Sequence, residues 1–325
     1  MSTRVVFAGI GIVIAALLSF VLIYSHYFGP VDPFAQQTDF IVNSGETTDQ
    51  IGDALKSGGF IRSRTAFGIA LAGGTQGRKV RPGGYKLAAS MDTWSIAAAL
   101  SRPPYLVFFT FPPGFRKEQI AEKLASTFSW TPEQQQHWVT TDSIPNTNFT
   151  EGVYYPDTYL IPADQTPAQI AQRFIDKFQQ EYATLASGTP HTNLTWQQVV
   201  ILASLVEREA SGPKDRSLIA GIMLNRIKDN MPLQIDATLQ YIKGTPGNWW
   251  PVPTSADKSL ISPFNTYAHT GLPPTAIANP GYDALEAVLN PQATDCLYYL
   301  HDTKGTIHCS KAYTGQLANV SKYLK

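Results

Sequence analysis

The stretch ILASLVEREASGP, residues 201–213, places two glutamates two positions apart at the end of a run that is otherwise apolar or small. Wound as an α-helix, residues 200, 203, 204, 207, 210 and 211 share a face. Glu207 then projects with Val200, Ala203 and Ser204, whereas Glu209 lies about 200° away. A carboxyl on an apolar face, close to the negative end of a helix, is pushed toward its protonated form. A carboxylic acid that stays protonated near neutral pH is what general-acid catalysis requires. Helical geometry thus selects Glu207 as the candidate acid. The competing structural reading pairs Glu207 with a buried arginine, for which Arg226 on the next helix is the obvious partner, because ion pairs perturb titration as well.

Other chemistries fit the chain less well. It has no GxSxG nucleophile elbow and no glycine-rich phosphate loop. One S-x-x-K, Ser255 to Lys258, lies in the proline-rich WWPVPTSADKSL rather than at a helix start, and no SDN or KTG accompanies it. The six histidines are scattered without ligand spacing, and the two cysteines belong to no CxxC, so neither a metal site nor a cofactor is expected. Lys plus Arg and Asp plus Glu both number 25 in 325 residues, a balance that marks no nucleic-acid partner.

The elements that must position the acid are legible from capping and periodicity. TWQQVVILASLVEREASGP opens with Thr195 and Gln198 as a capping box and stops at Gly212-Pro213; as the most apolar helix after the N-terminus it should be buried centrally. Before it, TPAQIAQRFIDKFQQEYATL has Thr166, Pro167 and Gln169 in the same roles, with Ile170, Phe174, Phe178 and Tyr182 as a core stripe. Further back, Phe40 to Ile61 reads as a strand, a turn at Ser44-Gly45 and a helix. The design returns about 69 positions later, where Phe40, Gly45, Gln50, Ile51, Leu55 and Ser57 meet Phe109, Gly114, Gln119, Ile120, Leu124 and Ser126. The first copy, FIVNSGETTDQIG, resembles the opening of a LysM module, a resemblance that implies binding of N-acetylglucosamine-containing glycans.

From Val5 to Tyr24 the chain carries no charge, about the 20 residues that cross a bilayer as a helix. Tyr24, His26, Tyr27 and Phe28 follow where a cleaved signal peptide would have small residues, so an uncleaved anchor is expected. Arg4 on one side and an aromatic belt on the other put the N-terminus in the cytoplasm and everything after Pro30 outside it. Cys296 and Cys309 flank two short strands around a turn at Asp302 to Gly305, and the compartment allows a disulfide. Register decides it: a turn centred between Thr303 and Lys304 sets Cys309 opposite Tyr298, and a centre one residue earlier pairs the cysteines directly.

EGVYYPDTYLIP (151–162), LASLVEREA (202–210), LNRIKDNMPLQIDATLQYIKG (224–244) and SPFNTYAHTGLPPTAIANPG (262–281) follow in order, and the match continues through ALEAVLNP to GQLANVSKYL. Together these blocks resemble the MltG/YceG-type endolytic murein transglycosylases. The resemblance implies that the first glutamate of the V-E-x-E block, Glu207, is the acid. It also implies a glycan cleft lined by Gln234, Asp236, Thr238, Tyr241, Asn265, Thr266 and Tyr267, with Asn225 and Arg226 just before them. Structural readings stand beside these, Asp236 as the cap of a helix starting at Ala237 and Arg226 as a carboxylate's partner. Three departures are visible: Phe264 where tyrosine is usual, Thr275-Ala276 after GLPP where Gly-Pro is usual, and Gln316 where histidine often stands.

The expected architecture is α+β: residues 1–4 cytoplasmic, a transmembrane helix at 5–27, a linker at 28–38, a LysM-like subdomain at 39–103 and a mixed α+β catalytic domain at 104–325. The implied reaction cleaves the β-1,4 bond between N-acetylmuramic acid and N-acetylglucosamine in peptidoglycan strands without water. It leaves 1,6-anhydro ends, needs no cofactor, and takes place at the outer face of the cytoplasmic membrane beside peptidoglycan synthases. Two alternatives compete with it. One is a membrane-anchored scaffold that binds peptidoglycan without cutting it; the other is a hydrolytic muramidase, whose second carboxylate would be Glu151 or Asp236.

Overall fold

Capping and turn chemistry set the element boundaries in the computed structural model, which describes residues 3–74, 79–143, 151–188, 192–212 and 214–324, with side chains from residue 10 onward. Pro213, part of the expected helix stop, lies outside the described residues. The chain divides into two compact units. One comprises Met1–Phe109 with Tyr159–Gln165, the other Thr110–Thr158 with Thr166–Lys325.

The first unit begins with α1 (Thr3–Phe28), of which Ile10–Phe28 is long and apolar enough to cross a membrane and exposes its apolar side chains along its length. Then come β1 (Thr38–Val42), α2 (Thr48–Ser57), α3 (Arg64–Gly74), β2 (Gly83–Leu87), α4 (Thr93–Leu100) and β3 (Leu106–Thr110). β1 pairs antiparallel with β2 and β2 with β3, and β4 (Thr158–Pro162) completes a four-stranded sheet in sequence order. That fourth strand is why Tyr159–Gln165 join this unit and interrupt the expected 104–325 segment. Phe40, Val42, Ile51, Leu55, Phe67, Tyr85, Leu87, Ile96 and Leu100 form its core.

The internal repeat is visible in the backbone. Both strand-to-helix turns place a glycine in the left-handed region, Gly45 at φ 86° and Gly114 at φ 81°. Both helices that follow are closed by a glutamine: Gln50 accepts the Thr47 N–H at 2.8 Å, and Gln119 accepts the Arg116 N–H at 3.1 Å.

The second unit holds α5 (Lys117–Phe128), α6 (Pro132–His137) running on into a π-helical turn, α7 (Pro167–Ala186), α8 (Trp196–Glu209), α9 (Arg216–Lys228), α10 (Asp236–Lys243) and α11 (Tyr282–Leu289). The hairpin of β5 (Tyr298–His301) and β6 (Ile307–Ser310) and a final helix, α12 (Tyr313–Tyr323), follow. The Thr166–Gln169 and Thr195–Gln198 capping boxes both form. Helix α8 is the centre of this unit: every residue from Val199 to Val206 is buried, and α9, α10 and α11 pack around it. A helix buried on all sides has no single inward face.

Cys296 and Cys309 form a disulfide. The hairpin register pairs Tyr299 with Cys309 and His301 with Ile307, which centres the turn on Lys304, one step from the first register considered and further from the second. The bond forms because Cys296 precedes the ladder. There Leu297 N–H donates to Ser310 O at 2.9 Å and brings the chain back beside β6, with the cysteine Cα atoms 5.9 Å apart.

Candidate active site

At the C-terminal end of α8 the two glutamates leave the helix in different directions and meet different surroundings. Glu207 faces the segment before α11. Its Oε2 accepts the Gly281 N–H at 3.1 Å, and its Oε1 accepts a bond from Arg216 Nη2 at 3.2 Å. Its side chain is 7 % exposed and that of Arg216 17 %. Glu207 is thus engaged through both oxygens, which differs from the free carboxyl that its place on the apolar face predicts. The expected partner is corrected too, since Arg226 spends its guanidinium on the carbonyls of Leu297 (2.6 Å), Leu233 (2.8 Å) and Pro232 (3.2 Å). Sequence periodicity marked the apolar face correctly. The acid on that face is neutralised by an arginine one helix on, which periodicity does not reveal.

Glu209 opens instead on a polar cavity of about 480 Å³. Helices α8, α9, α10 and α12, strand β5, the loop before α10 and the segment between α10 and α11 supply its lining, with Gln234, Asp236, Tyr267, Tyr299 and His301 among its polar side chains. The Tyr299 hydroxyl donates to Glu209 Oε2 at 2.8 Å, and Oε1 has no partner among the described residues. Burial pushes the Glu209 carboxyl above the usual glutamate range, and Asp236 adds to the rise. The Tyr299 hydrogen bond and the charges of His301 and Arg208 oppose it. A carboxyl in the lining of a polar cavity, held through one oxygen and biased toward its protonated form, meets the requirements for a proton donor.

The remaining sequence-selected residues divide between cavity and scaffold. Gln234, Asp236, Tyr267 and Arg226 line the cavity with Glu209. Asp236 does not cap α10, whose first residue it is; its Oδ1 accepts the Tyr267 hydroxyl at 2.6 Å. Gln234 is held at φ 55°, a left-handed conformation uncommon outside glycine, with its N–H on Thr266 O at 2.9 Å. Thr238 and Thr266 bond each other at 3.0 Å under the loop, and Thr266 Oγ1 accepts the Ile235 N–H at 2.9 Å. Asn265 is fully buried and ties Lys258 O, Leu260 O and Tyr267 N–H together. Asn225 bonds Thr294 O and Cys296 O. Tyr241 packs against Phe264, with the Arg116 guanidinium 4.1 Å from its ring centre. These five shape the walls from behind and do not line this cavity.

Glu151 is also clear of the cavity. It is completely buried, accepts the Lys117 N–H through both oxygens at 3.1 Å and the Asn279 side-chain amide at 2.7 Å, and anchors the start of α5. Burial, with the nearby Glu118 charge, pushes it up to about 8. Tyr298, Tyr299, His301, Lys258 and Gln316 are cavity residues that sequence reasoning missed. Period-two alternation already placed Tyr299 and His301 on one face of the hairpin. It carried no sign that α8 would lie against that face.

A family model described as the YceG-like family matches residues 40–322. The endolytic murein transglycosylase of Bacillus subtilis (strain 168) is 29 % identical over 319 residues, which span 91 % of this chain and 87 % of that protein. The endolytic murein transglycosylase of Streptococcus pneumoniae serotype 2 is 26 % identical over 318 residues, covering 87 % of this chain; the chain spans 58 % of that relative's length. The crystal structure of a YceG-like protein from Listeria monocytogenes superposes with a TM-score of 0.56 at 24 % identity, covering 87 % of this chain and 99 % of that one, and shares the fold.

Proposed function

The chain belongs to the YceG-like family, and from that premise we propose that it is an endolytic murein transglycosylase in which Glu209, not Glu207, is the acid. One observation carries the assignment: of the two glutamates at the end of α8, Glu209 alone lines a polar cavity, shared with Gln234, Asp236 and Tyr267, and alone keeps an oxygen without a hydrogen-bond partner among the described residues. Protonated Glu209 donates to the glycosidic oxygen between N-acetylmuramic acid and N-acetylglucosamine as the C1–O bond breaks. The resulting carboxylate takes the proton of the muramic C6 hydroxyl, and that oxygen closes on C1 as a 1,6-anhydro ring. The proton count balances on one carboxyl, and water is not consumed. Tyr299 holds Oε2 throughout, so only Oε1 turns over.

Helix α1 acts as a single-pass anchor with the two units on the far side of the membrane, a reading supported by its unbroken apolar length and by the Cys296–Cys309 disulfide, a bond of oxidising compartments. The strand–helix–helix–strand run β1–α2–α3–β2 serves as the LysM-like unit that holds the strand. What supports this is the resemblance of its first turn and the antiparallel closure of β1 on β2. Asp236, in the same cavity as Glu209, favours one competing reading, hydrolysis with Asp236 as the base for water.

The test is to incubate the full chain, in detergent micelles, with isolated glycan strands. Strand length should fall through internal cuts whose new ends are 1,6-anhydromuramic. Binding without shortening would overturn the catalytic reading in favour of a scaffold.

A further inference from the structure

Between the two glutamates stands a cation that has no anionic partner among the described residues. Arg208 is half-buried, and its guanidinium makes no hydrogen bond and no ion pair with any described residue; its Nε is shielded from solvent and unsatisfied. The flanking acids are already engaged, Glu207 by Arg216 and Gly281, Glu209 by Tyr299. The neighbouring arginine gives the contrast. Arg116 is hydrogen-bonded at two nitrogens, with Nε on Glu118 at 3.1 Å and Nη1 on Tyr241 O at 3.0 Å.

Arg208 is nevertheless held in place. Its guanidinium carbon lies 3.9 Å from the centre of the Trp250 ring, a cation–π contact, and the Trp250 indole N–H is pinned to Gln119 at 3.0 Å. Trp249 beside it is pinned to Glu122 at 3.0 Å. Gly114 leaves room on another side: a Cβ there would sit 3.3 Å from Arg208 Nη1, and the glycine's φ of 81° already disfavours a side chain. A guanidinium nitrogen withdrawn from water without a hydrogen bond, as Arg208 Nε is, costs stability, whereas a guanidinium pre-oriented on an aromatic ring is suited to a planar anion taken through two N–H groups. It neighbours the cavity through Glu209, the next residue of α8, about 100° around the helix.

We propose that Arg208, backed by Trp250, is a carboxylate subsite beside the cleavage cavity, taking a carboxyl group of the peptide carried by the muramic residue. The assignment rests on the transglycosylase reading for its substrate, because in a peptidoglycan strand the sugars themselves are neutral once the lactyl group is in amide linkage, and the peptide carries the carboxylates. A single unpaired guanidinium matches one singly charged carboxylate better than a multiply charged pyrophosphate. Occupation would also couple to chemistry. The Arg208 charge opposes the rise in the Glu209 pKa, so an anion seated on it helps keep the acid protonated when substrate is bound.

The test compares peptide-bearing strands with the same strands after their carboxyl groups are converted to amides. For the wild type, kcat/KM should fall about tenfold or more on amidation, mostly through KM, the range for losing a charge-assisted hydrogen-bonded pair. Arg208→Gln should show a ratio near one between the two substrates. Arg208→Lys keeps the charge without the fork and should retain part of the discrimination. Equal cleavage of both strands by the wild type, or undiminished discrimination by Arg208→Gln, overturns the subsite. Equilibrium binding of both strand types to Glu209→Gln protein separates the two claims. Carboxyl-dependent binding together with a wild type that cuts neither strand defeats the catalytic reading and keeps the subsite, and cleavage without carboxyl dependence does the reverse.

Discussion

Glu209→Gln should lower turnover at least about a hundredfold, the lower end for loss of a general acid-base group, while the protein stays folded. Glutamine keeps the volume and still accepts the Tyr299 hydroxyl, but it delivers no proton and takes none back, so both steps fail together. The stability effect has a sign fixed by titration. Glu209 has its pKa raised on folding, chiefly by burial. Below the ordinary glutamate range the group is protonated in both states and costs nothing. As pH rises from there through the raised value, the unfolded chain ionises more readily than the folded one, and the wild type loses stability. Glutamine is exempt, so the melting temperature of Glu209→Gln should match the wild type in acid and exceed it increasingly across that window. Thermal melts at a series of pH values check this. Equal melting temperatures at every pH would place Glu209 in an ordinary solvated environment and remove the basis for its acid role.

Glu207→Ala should give the opposite pattern. It strips the Arg216 guanidinium of its better-buried partner and leaves the Gly281 N–H without an acceptor. Breaking a buried ion pair by deleting one side costs about 3 to 5 kcal/mol, and the contact of Arg216 with the exposed Asp283 at 3.7 Å points to the lower end. The melting temperature should drop sharply, and turnover measured well below it should persist, because Glu207 does not line the cavity. Denaturant unfolding together with low-temperature activity separates the two. A stable Glu207→Ala protein with no activity would return the acid to Glu207.

Much of the scaffold was legible because it is written locally. Both threonine–glutamine capping boxes, the glycine turns of the internal repeat at Gly45 and Gly114, and the hairpin turn at Asp302–Gly305 are set by residues within a few positions of each other. The burial of α8 was legible from its composition. The partners of Glu207 and Glu209 were not, because they come from other elements: Arg216 of the next helix and Gly281 before α11 hold the first, and Tyr299, some 90 positions on, holds the second. An amphipathic argument assumes one wet and one dry side, and a central helix packed by three others has no such sides. The polar blocks drawn from the family resemblance were placed with mixed results for a related reason. Gln234, Asp236, Tyr267 and Arg226 reach the cavity, whereas Asn225, Thr238, Tyr241, Asn265 and Thr266 spend their polar groups or rings holding the walls.

In the proposed reaction a single carboxyl, Glu209, both gives and recovers the proton, with the muramic C6 hydroxyl standing where water would be. Asp236 lines the same cavity and is the candidate base for water in a hydrolytic reaction. Cleavage of glycan strands by the full chain in water enriched in heavy oxygen, followed by mass spectrometry of the new muramic ends, decides between them. Catalysis by Glu209 with the C6 hydroxyl as acceptor gives 1,6-anhydro ends that contain no heavy oxygen. Reducing ends carrying the label would contradict it and make the enzyme a hydrolase.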